Sequence, residues 1–144
     1  MDDLEFMDAA LELAKEAAAD GEVPVGCVIV RKGEIVGRGR NRREQAKTAL
    51  GHAEIEAIGD ACRNLGGWRL WDCTLYVTLE PCPMCAGALA WSQIGKVVYG
   101  ASDPKRGFSN FTPSLMHPKT VVESGVLAEE CGNIVTEFFR NKRS

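Results

Sequence analysis

Two short stretches of this sequence carry residue types that bind metals and move protons. The tripeptide HAE supplies His52 and Glu54, and the pentapeptide PCPMC supplies Cys82 and Cys85. Imidazole and thiolate are ligands that zinc prefers; a structural site takes four protein ligands, whereas one histidine and two cysteines leave a position open for water. The residues therefore predict a catalytic zinc site in which Glu54 binds no metal and is free to transfer protons.

A C-x-x-C pair by itself has other interpretations. A redox dithiol has no need of the His-x-Glu partner, and a structural zinc site needs a fourth ligand, which only His117 or an isolated cysteine would supply. The joint spacing favours the catalytic site over both. The remaining cysteines stand singly among apolar neighbours, where free cysteine packs as a small hydrophobe; they are Cys27, Cys62, Cys73 and Cys131.

Each half of this site lies where a helix is expected to begin. One helix is predicted from Gly51-His52 to Leu65, with Ile55, Ile58, Cys62 and Leu65 on its buried face. Another is predicted from Cys82 to about Ser92, with Pro83 tolerated in its first turn. A helix N-terminus favours negative charge and thus helps to hold thiolates, so we expect the two N-termini to meet at one metal ion.

The other elements follow from hydrophobic periodicity and turn residues. The pattern predicts helices over 3–19 and 127–141, strands over 25–30, 35–37, 74–79 and 97–99, a possible strand at 121–122, a loop over 38–50 and an irregular segment over 101–118. The first strand is apolar on both faces, so we expect it to be central with helices on both sides. The last helix should turn Leu127, Cys131, Ile134, Val135 and Phe138 inward. This order predicts a three-layer α/β sandwich formed by one domain, residues 1–144.

The charge of the chain is unevenly distributed. The net charge of −3 alone argues against a nucleic-acid-binding protein, but residues 1–22 hold eight acids and one base, which leaves +4 on the rest. Much of this surplus lies in two clusters: Arg38, Arg40, Arg42, Arg43 and Lys47, and then Arg140, Lys142 and Arg143. They are either phosphate-binding groups or solvated loop and tail charges, and the sequence leaves both open.

Nothing in the sequence predicts contact with a membrane. The N-terminus has no basic region followed by an apolar run, and no apolar stretch approaches the length that spans a bilayer. Six cysteines in such a chain are expected to be thiols or metal ligands. We therefore expect a soluble, cytoplasmic protein.

The combination H-x-E with P-C-x-x-C is typical of zinc-dependent nucleobase deaminases. The sequence resembles the cytidine-deaminase superfamily, and within it the bacterial tRNA-specific adenosine deaminases. The similar stretches cover nearly the whole chain: EVPVG from Glu22, Asn41, HAEI from His52, LYVTLEPC from Leu75, MCAGA from Met84 and EFFR from Glu137. One segment, residues 108–120, is shorter than the family's pattern, and we expect His117 within it to be a loop residue.

The resemblance implies a five-stranded mixed sheet flanked by helices, one Zn²⁺ per chain, and a homodimer with substrate bound near its interface. It also implies hydrolysis of adenosine to inosine at the wobble position, A34, of a tRNA anticodon. The implied roles are zinc ligation by His52, Cys82 and Cys85, proton transfer by Glu54, and hydrogen bonding of the base by Asn41. Val23, Ala53 and Phe139 would contact the flipped nucleotide, and Arg40, Arg42, Arg140 and Lys142 would lie against the RNA backbone.

Two other functions and one other role remain open on the sequence. A deaminase of a free base or nucleoside, such as guanine, cytosine or cytidine, needs the same zinc site but no basic surface. A zinc-stabilised module that binds nucleic acid without catalysis has no use for Glu54. Asn41, for its part, could instead bond its own backbone, as asparagine in loops commonly does.

Overall fold

A five-stranded mixed sheet lies at the centre of the computed structural model, which describes residues 2–143. The helices are α1 (Asp3–Ala19), α2 (Ala53–Leu65), α3 (Pro83–Trp91) and α4 (Ala128–Arg143). The strands are β1 (Gly26–Arg31), β2 (Glu34–Arg40), β3 (Thr74–Leu79), β4 (Lys96–Ala101) and β5 (Val121–Ser124), in the order β2-β1-β3-β4-β5. Strand β1 is antiparallel to β2 and β3, whereas β3, β4 and β5 are parallel. The predicted five-stranded mixed sheet is confirmed.

The side chains of β1 show why the fold has three layers. Successive residues of a strand point to opposite faces. Cys27 and Ile29 are buried in the core cluster that includes α2 and α3, whereas Val28 and Val30 are buried in the cluster that includes α1. The predicted interior position of this strand, with helices on both sides, is confirmed, although β3 is the middle strand of the sheet.

Strand β2 is longer than the sequence predicted. It continues through Arg40, so the first three residues of the predicted loop 38–50 belong to the sheet. The backbone N–H of Arg38 donates to Asp60 Oδ2 at 2.9 Å, and a Cβ on Gly39 would overlap the carbonyl oxygen of Ala53. The absent side chain at Gly39 lets the strand lie directly against α2, an approach that hydrophobic periodicity does not reveal.

Helix α2 buries a stripe of small residues. Ala53, Ala57 and Ala61 recur every four residues and are fully buried. The face predicted to be buried is only half-buried, and it consists of Ile55, Ile58, Cys62 and Leu65. That prediction is confirmed in part, since Ile58, Cys62 and Leu65 pack against the core cluster. The close approach of β2 favours small side chains at the contact itself, so the larger apolar residues lie at its edge.

The last helix begins at Ala128, one residue later than predicted, and is less buried. Cys131 is fully buried as expected, whereas Leu127, Ile134, Val135 and Phe138 are half-buried. Phe139 is 42 % exposed, so the aromatic neighbours Phe138 and Phe139 face in different directions. Within residues 2–143, no helix combines the length and the apolar character required to cross a bilayer.

Candidate metal centre and active site

Three ligand atoms converge where α2 and α3 begin. His52 Nδ1 lies 3.7 Å from Cys82 Sγ and 3.5 Å from Cys85 Sγ, and the three atoms lie within 4.8 Å of one another. Tetrahedral zinc, with bonds of about 2.0 Å to nitrogen and about 2.3 Å to sulfur, would hold nitrogen and sulfur roughly 3.6 Å apart. The donor types and their spacing therefore fit one zinc ion.

Both helix starts leave a ligand side chain free for the metal. His52 is the N-cap of α2 and Cys82 is the N-cap of α3, each with extended backbone, and neither side chain makes a capping hydrogen bond. Serine, threonine, aspartate and asparagine are the usual capping residues. The predicted helix starts are confirmed to within one residue, and the residue types at these two caps suit ligation rather than capping.

Hydrogen bonding between the ligands favours a thiolate. A hydrogen bond from the Cys85 thiol, together with one from His52, lowers the pKa of Cys82 to about 4. The pKa of Cys85 is raised because its thiol donates to that thiolate and because it is buried. Metal ligation requires both sulfurs to be deprotonated, so a divalent cation bound by these residues would replace this shared proton.

Glu54 lies beside the ligand cluster without belonging to it. It occupies the first turn of α2, is 4 % exposed and lines the cavity described below. Burial raises the pKa of Glu54 to about 7, and hydrogen bonds from its own backbone N–H and from Cys85 oppose that shift only in part. A carboxyl group with such a pKa can both accept and release a proton near neutral pH.

A cavity of about 830 Å³ opens above these residues. Its lining includes six residues to which the sequence gave a catalytic, metal-binding or substrate-binding role: Val23, Asn41, His52, Glu54, Cys82 and Phe139. Residues 102–106, from the loop after β4, also line it. The fold thus brings all of the predicted substrate-binding and catalytic side chains except that of Ala53 to one space, and their roles there stay predictions.

Asn41 and Ala53 are joined by a hydrogen bond. Asn41 is 8 % exposed, and its Oδ1 accepts from the backbone N–H of Ala53 at 2.9 Å. Asn41 therefore caps α2 from the start of the loop that leads into this helix, which differs from the alternative of bonding its own backbone. The side chain of Ala53 is fully buried and does not line the cavity, so its predicted contact with a base remains a prediction.

Two of the predicted phosphate-binding arginines pair with carboxylates of their own chain. Arg40 forms an ion pair with Asp20, and Arg42 Nε lies 3.0 Å from Glu56 Oε1. In the second cluster, Arg140 lines a smaller cavity beside Phe139, and Lys142 Nζ lies 5.4 Å from the ring centroid of Phe138. The predicted contacts of all four cations with RNA stay predictions.

Sequence reasoning missed two groups of residues. Arg43, Lys105 and Arg106 line the main cavity, although the sequence named only Arg43 among them and gave it no separate role. Glu22 and Glu80 are buried carboxylates that accept hydrogen bonds from the backbones of the two loops flanking the cavity. Both acids stand inside stretches that resemble the family, EVPVG and LYVTLEPC, but neither stretch indicates which backbone groups they bind.

The other cysteines and His117 lie outside the metal site, as the sequence predicted. Cys27, Cys73 and Cys131 are buried free thiols, and Cys62 is a half-buried one. His117 Nδ1 accepts a hydrogen bond of 3.1 Å from the backbone N–H of Lys119. None of these residues joins a metal-binding group among the described residues.

Comparison with known families and proteins agrees with this chemistry. Residues 1–101 match the family model of the cytidine and deoxycytidylate deaminase zinc-binding region. The tRNA-specific adenosine deaminase of Bacillus subtilis is 50 % identical, covering 96 % of this chain and 89 % of that protein. The protein of the same name from Haemophilus influenzae is 45 % identical, covering 98 % and 85 %.

Solved structures give the same result. A structure from a study of A-to-I editing by tRNA:A34 deaminases at the wobble position of transfer RNA is similar, with a TM-score of 0.85 and 40 % identity. That match covers 90 % of this chain and 98 % of the other. A guanine deaminase from Bacillus subtilis has a TM-score of 0.68 and 40 % identity, covering 71 % and 66 %.

Proposed function

The chain belongs to the cytidine and deoxycytidylate deaminase zinc-binding family, and we propose that it hydrolyses adenosine to inosine in RNA, at the wobble position of a tRNA anticodon. The observation that carries this proposal is a three-ligand metal site beside a buried carboxylate, in contact with a cavity that basic side chains also line. The names of the similar proteins supply the choice of adenosine and tRNA.

His52 Nδ1, Cys82 Sγ and Cys85 Sγ would hold the zinc ion. Zinc bound by these ligands supplies a water molecule activated as a nucleophile near neutral pH. A Glu54 carboxylate oxygen accepts a proton from the nucleophile and passes it to the amine that leaves from C6 of adenine. Because burial raises the pKa of Glu54 to about 7, one group serves both transfers.

The cavity walls hold the base. A side-chain amide has both an acceptor and donors, and the acceptor of Asn41 already bonds to Ala53. Nδ2 is thus the group that Asn41 offers to an acceptor on the base. Val23 and Phe139 add apolar surface to the cavity, which suits the faces of a flipped purine.

The cations of the cavity wall favour a polynucleotide over a free base. Arg43 contributes from the loop that follows β2, whereas Lys105 and Arg106 contribute from the loop that follows β4, and all three are exposed. When a nucleotide within a chain is flipped into a cavity, its two flanking phosphates stay at the opening. Cations on both loops are placed to attract them.

Inosine formation on transcribed tRNA, measured with zinc-loaded protein, tests the proposal. The expected product is inosine at position 34, and a transcript carrying guanosine there serves as the control. Absence of inosine at a saturating protein concentration would remove the proposal.

Deamination of a free base is the second candidate, and the likeness to a guanine deaminase favours it. Ionic strength separates the two, because phosphate contacts weaken steeply with salt whereas binding of an uncharged base does not. Turnover that falls between about 50 and 200 mM salt supports the polynucleotide. Ammonia release from free guanine or cytosine, insensitive to salt, would support the second candidate.

We also propose a homodimer that buries one face of α3. A helix that is apolar all round is normally buried. Cys85, Ala86 and Leu89 face the core of their own chain, whereas Met84 and Trp91 are 37 % and 83 % exposed. Light scattering should give a dimer that Trp91→Glu converts to a monomer; a monomeric parent contradicts this.

With tRNA as substrate, we place the protein in the cytoplasm.

A further inference from the structure

Glu80 is a buried carboxylate that the proposed chemistry does not use. It follows the last residue of β3 and is 4 % exposed, and its backbone N–H donates to the carbonyl of Ala101 at 2.9 Å. The residue therefore lies where the carboxyl ends of the parallel strands β3 and β4 meet. It also lines the main cavity.

Three hydrogen bonds reach this carboxylate from a single loop. Oε1 accepts from the backbone N–H of Asp103 at 3.0 Å. Oε2 accepts from the backbone N–H of Ser109 at 2.9 Å and from its hydroxyl at 2.7 Å. Within the loop after β4, the segment from Asp103 to Ser109 is thus held at both of its ends by one side chain. Hydrogen bonds to a charged acceptor are stronger than neutral ones.

The backbone at Gly107 also packs against the carboxylate of Glu80. A Cβ built on Gly107 would overlap the carboxyl atoms of Glu80. Gly107 has φ −65° and ψ 146°, a conformation that any residue adopts, so only the lack of space excludes a side chain there. Loop backbone and carboxylate are therefore packed in direct contact as well as hydrogen-bonded.

The fastened loop carries the cations of the cavity wall. Asp103 Oδ1 accepts from the backbone N–H groups of Lys105 and Arg106 at 3.1 and 3.0 Å, while the N–H of Asp103 itself bonds to Glu80. The side chain of Asp103 thus holds the backbone at Lys105 and Arg106, and the side chain of Glu80 holds the backbone at Asp103. Glu80 acts on the cavity opening through a chain of backbone contacts.

We propose that Glu80 is a positioning residue for substrate binding, which holds the loop from Asp103 to Ser109 so that Lys105 and Arg106 meet the flanking phosphates. This inference rests on the proposed RNA substrate, but the effect on the loop is independent of it. Removing the carboxylate should weaken binding of the polynucleotide while leaving the metal and the proton transfer intact.

Glu80→Gln tests the role, because the amide replaces one acceptor oxygen by an NH2 group. That donor would face an N–H or O–H donor of the loop. We expect KM for tRNA to rise about tenfold, the loss of one hydrogen bond to a charged group, with kcat changed less than about threefold. Zinc content should stay at the parent's value. Amide hydrogen exchange at Asp103 and Ser109 should become faster, which reports on the loop with no substrate present.

Gly107→Ala is the second variant, since it disturbs the same contact without altering any charge. It should reproduce the higher KM and the faster exchange even if Glu80→Gln folds poorly. Asp60→Asn is the matched control: Asp60 also accepts a backbone N–H, from Arg38, but does not line the cavity, so KM should not change.

The outcomes separate the two proposals. Unchanged KM and exchange in both variants overturn the role of Glu80. Loss of zinc with lower kcat and unchanged KM also overturns it, because the residue would then support α3 instead of the loop. If the parent does not act on tRNA, the proposed function fails, and the exchange rates alone still decide whether Glu80 holds the loop.

Discussion

Asn41 Oδ1 accepts a hydrogen bond of 2.9 Å from the backbone N–H of Ala53, the first residue of α2. His52, the N-cap of that helix, makes no capping bond with its side chain. Asn41 therefore caps α2 in place of His52, and the imidazole of His52 remains available for the metal. The same contact fixes an amide beside the cavity, so helix stability and the proposed base binding would both depend on one side chain.

Substitution of Asn41 should separate these two effects. Asn41→Ala removes the cap and is expected to lower the free energy of unfolding by about 1 kcal/mol. Asn41→Asp keeps an oxygen acceptor for Ala53 and should cost less, yet it loses the amide donor, so both variants should deaminate tRNA slowly. Urea unfolding and inosine formation measure the two quantities. An unchanged stability of Asn41→Ala, or full activity of Asn41→Asp, would contradict the respective role.

The phenol of Tyr76 should make stability depend on alkaline pH. It is 5 % exposed and donates to Asp3 Oδ1 at 2.6 Å; burial, together with this hydrogen bond to Asp3, raises the pKa of Tyr76. In the unfolded chain the tyrosine phenol ionises at about pH 10. The contribution to stability is therefore fully present below that pH and is lost as the pH rises toward the raised pKa.

Urea unfolding between pH 8 and 11 measures this dependence. The free energy of unfolding of the parent should decline above about pH 10, and that of Tyr76→Phe should decline less steeply because it lacks the ionising group. Identical slopes for the two proteins would show that Tyr76 does not carry the effect.

The metal ligands and the helices that bear them were predictable because their signals are local. His52 and Cys82 each stand within a few residues of the other members of their motif, at a helix start marked by turn residues. The loop carboxylates were not predictable in this way. Glu22 accepts from a backbone 22 positions away and Glu80 from one 29 positions away, so only the folded chain shows their partners.

Helix α2 illustrates the other source of error. Periodicity identified the helix but assigned its buried face to the larger apolar residues around Ile58. The close approach of Gly39 instead selects Ala53 and its small neighbours for the contact. Pairing between a strand glycine and a helix alanine is a tertiary property, and the hydrophobic pattern of either element alone does not contain it.

Cys85→Ser should deprive the site of zinc. Changes outside the ligand set already lower metal affinity about 10- to 100-fold, so loss of a thiolate should lower it by at least about 100-fold. A site that binds zinc 100-fold more weakly provides about 2.7 kcal/mol less stabilisation. This loss should be measured as a lower Tm, which added zinc partly restores. Elemental analysis and thermal unfolding measure both effects. Cys62→Ser, at a half-buried thiol outside the cluster, should keep one zinc per chain; equal zinc loss in both variants would contradict the ligand assignment.

Glu54→Gln should abolish proton transfer and leave the metal in place. Glu54 is buried beside the ligand cluster but is not part of it, and an amide of the same shape cannot accept and return a proton. We expect inosine formation to fall about 100- to 10,000-fold with unchanged zinc content. Asp60→Asn, on the same helix and outside the cavity, is the control and should keep the activity of the parent. A Glu54→Gln protein as active as its parent would leave the zinc site without a proton carrier, and the chain would then be better explained as a zinc-stabilised binding module.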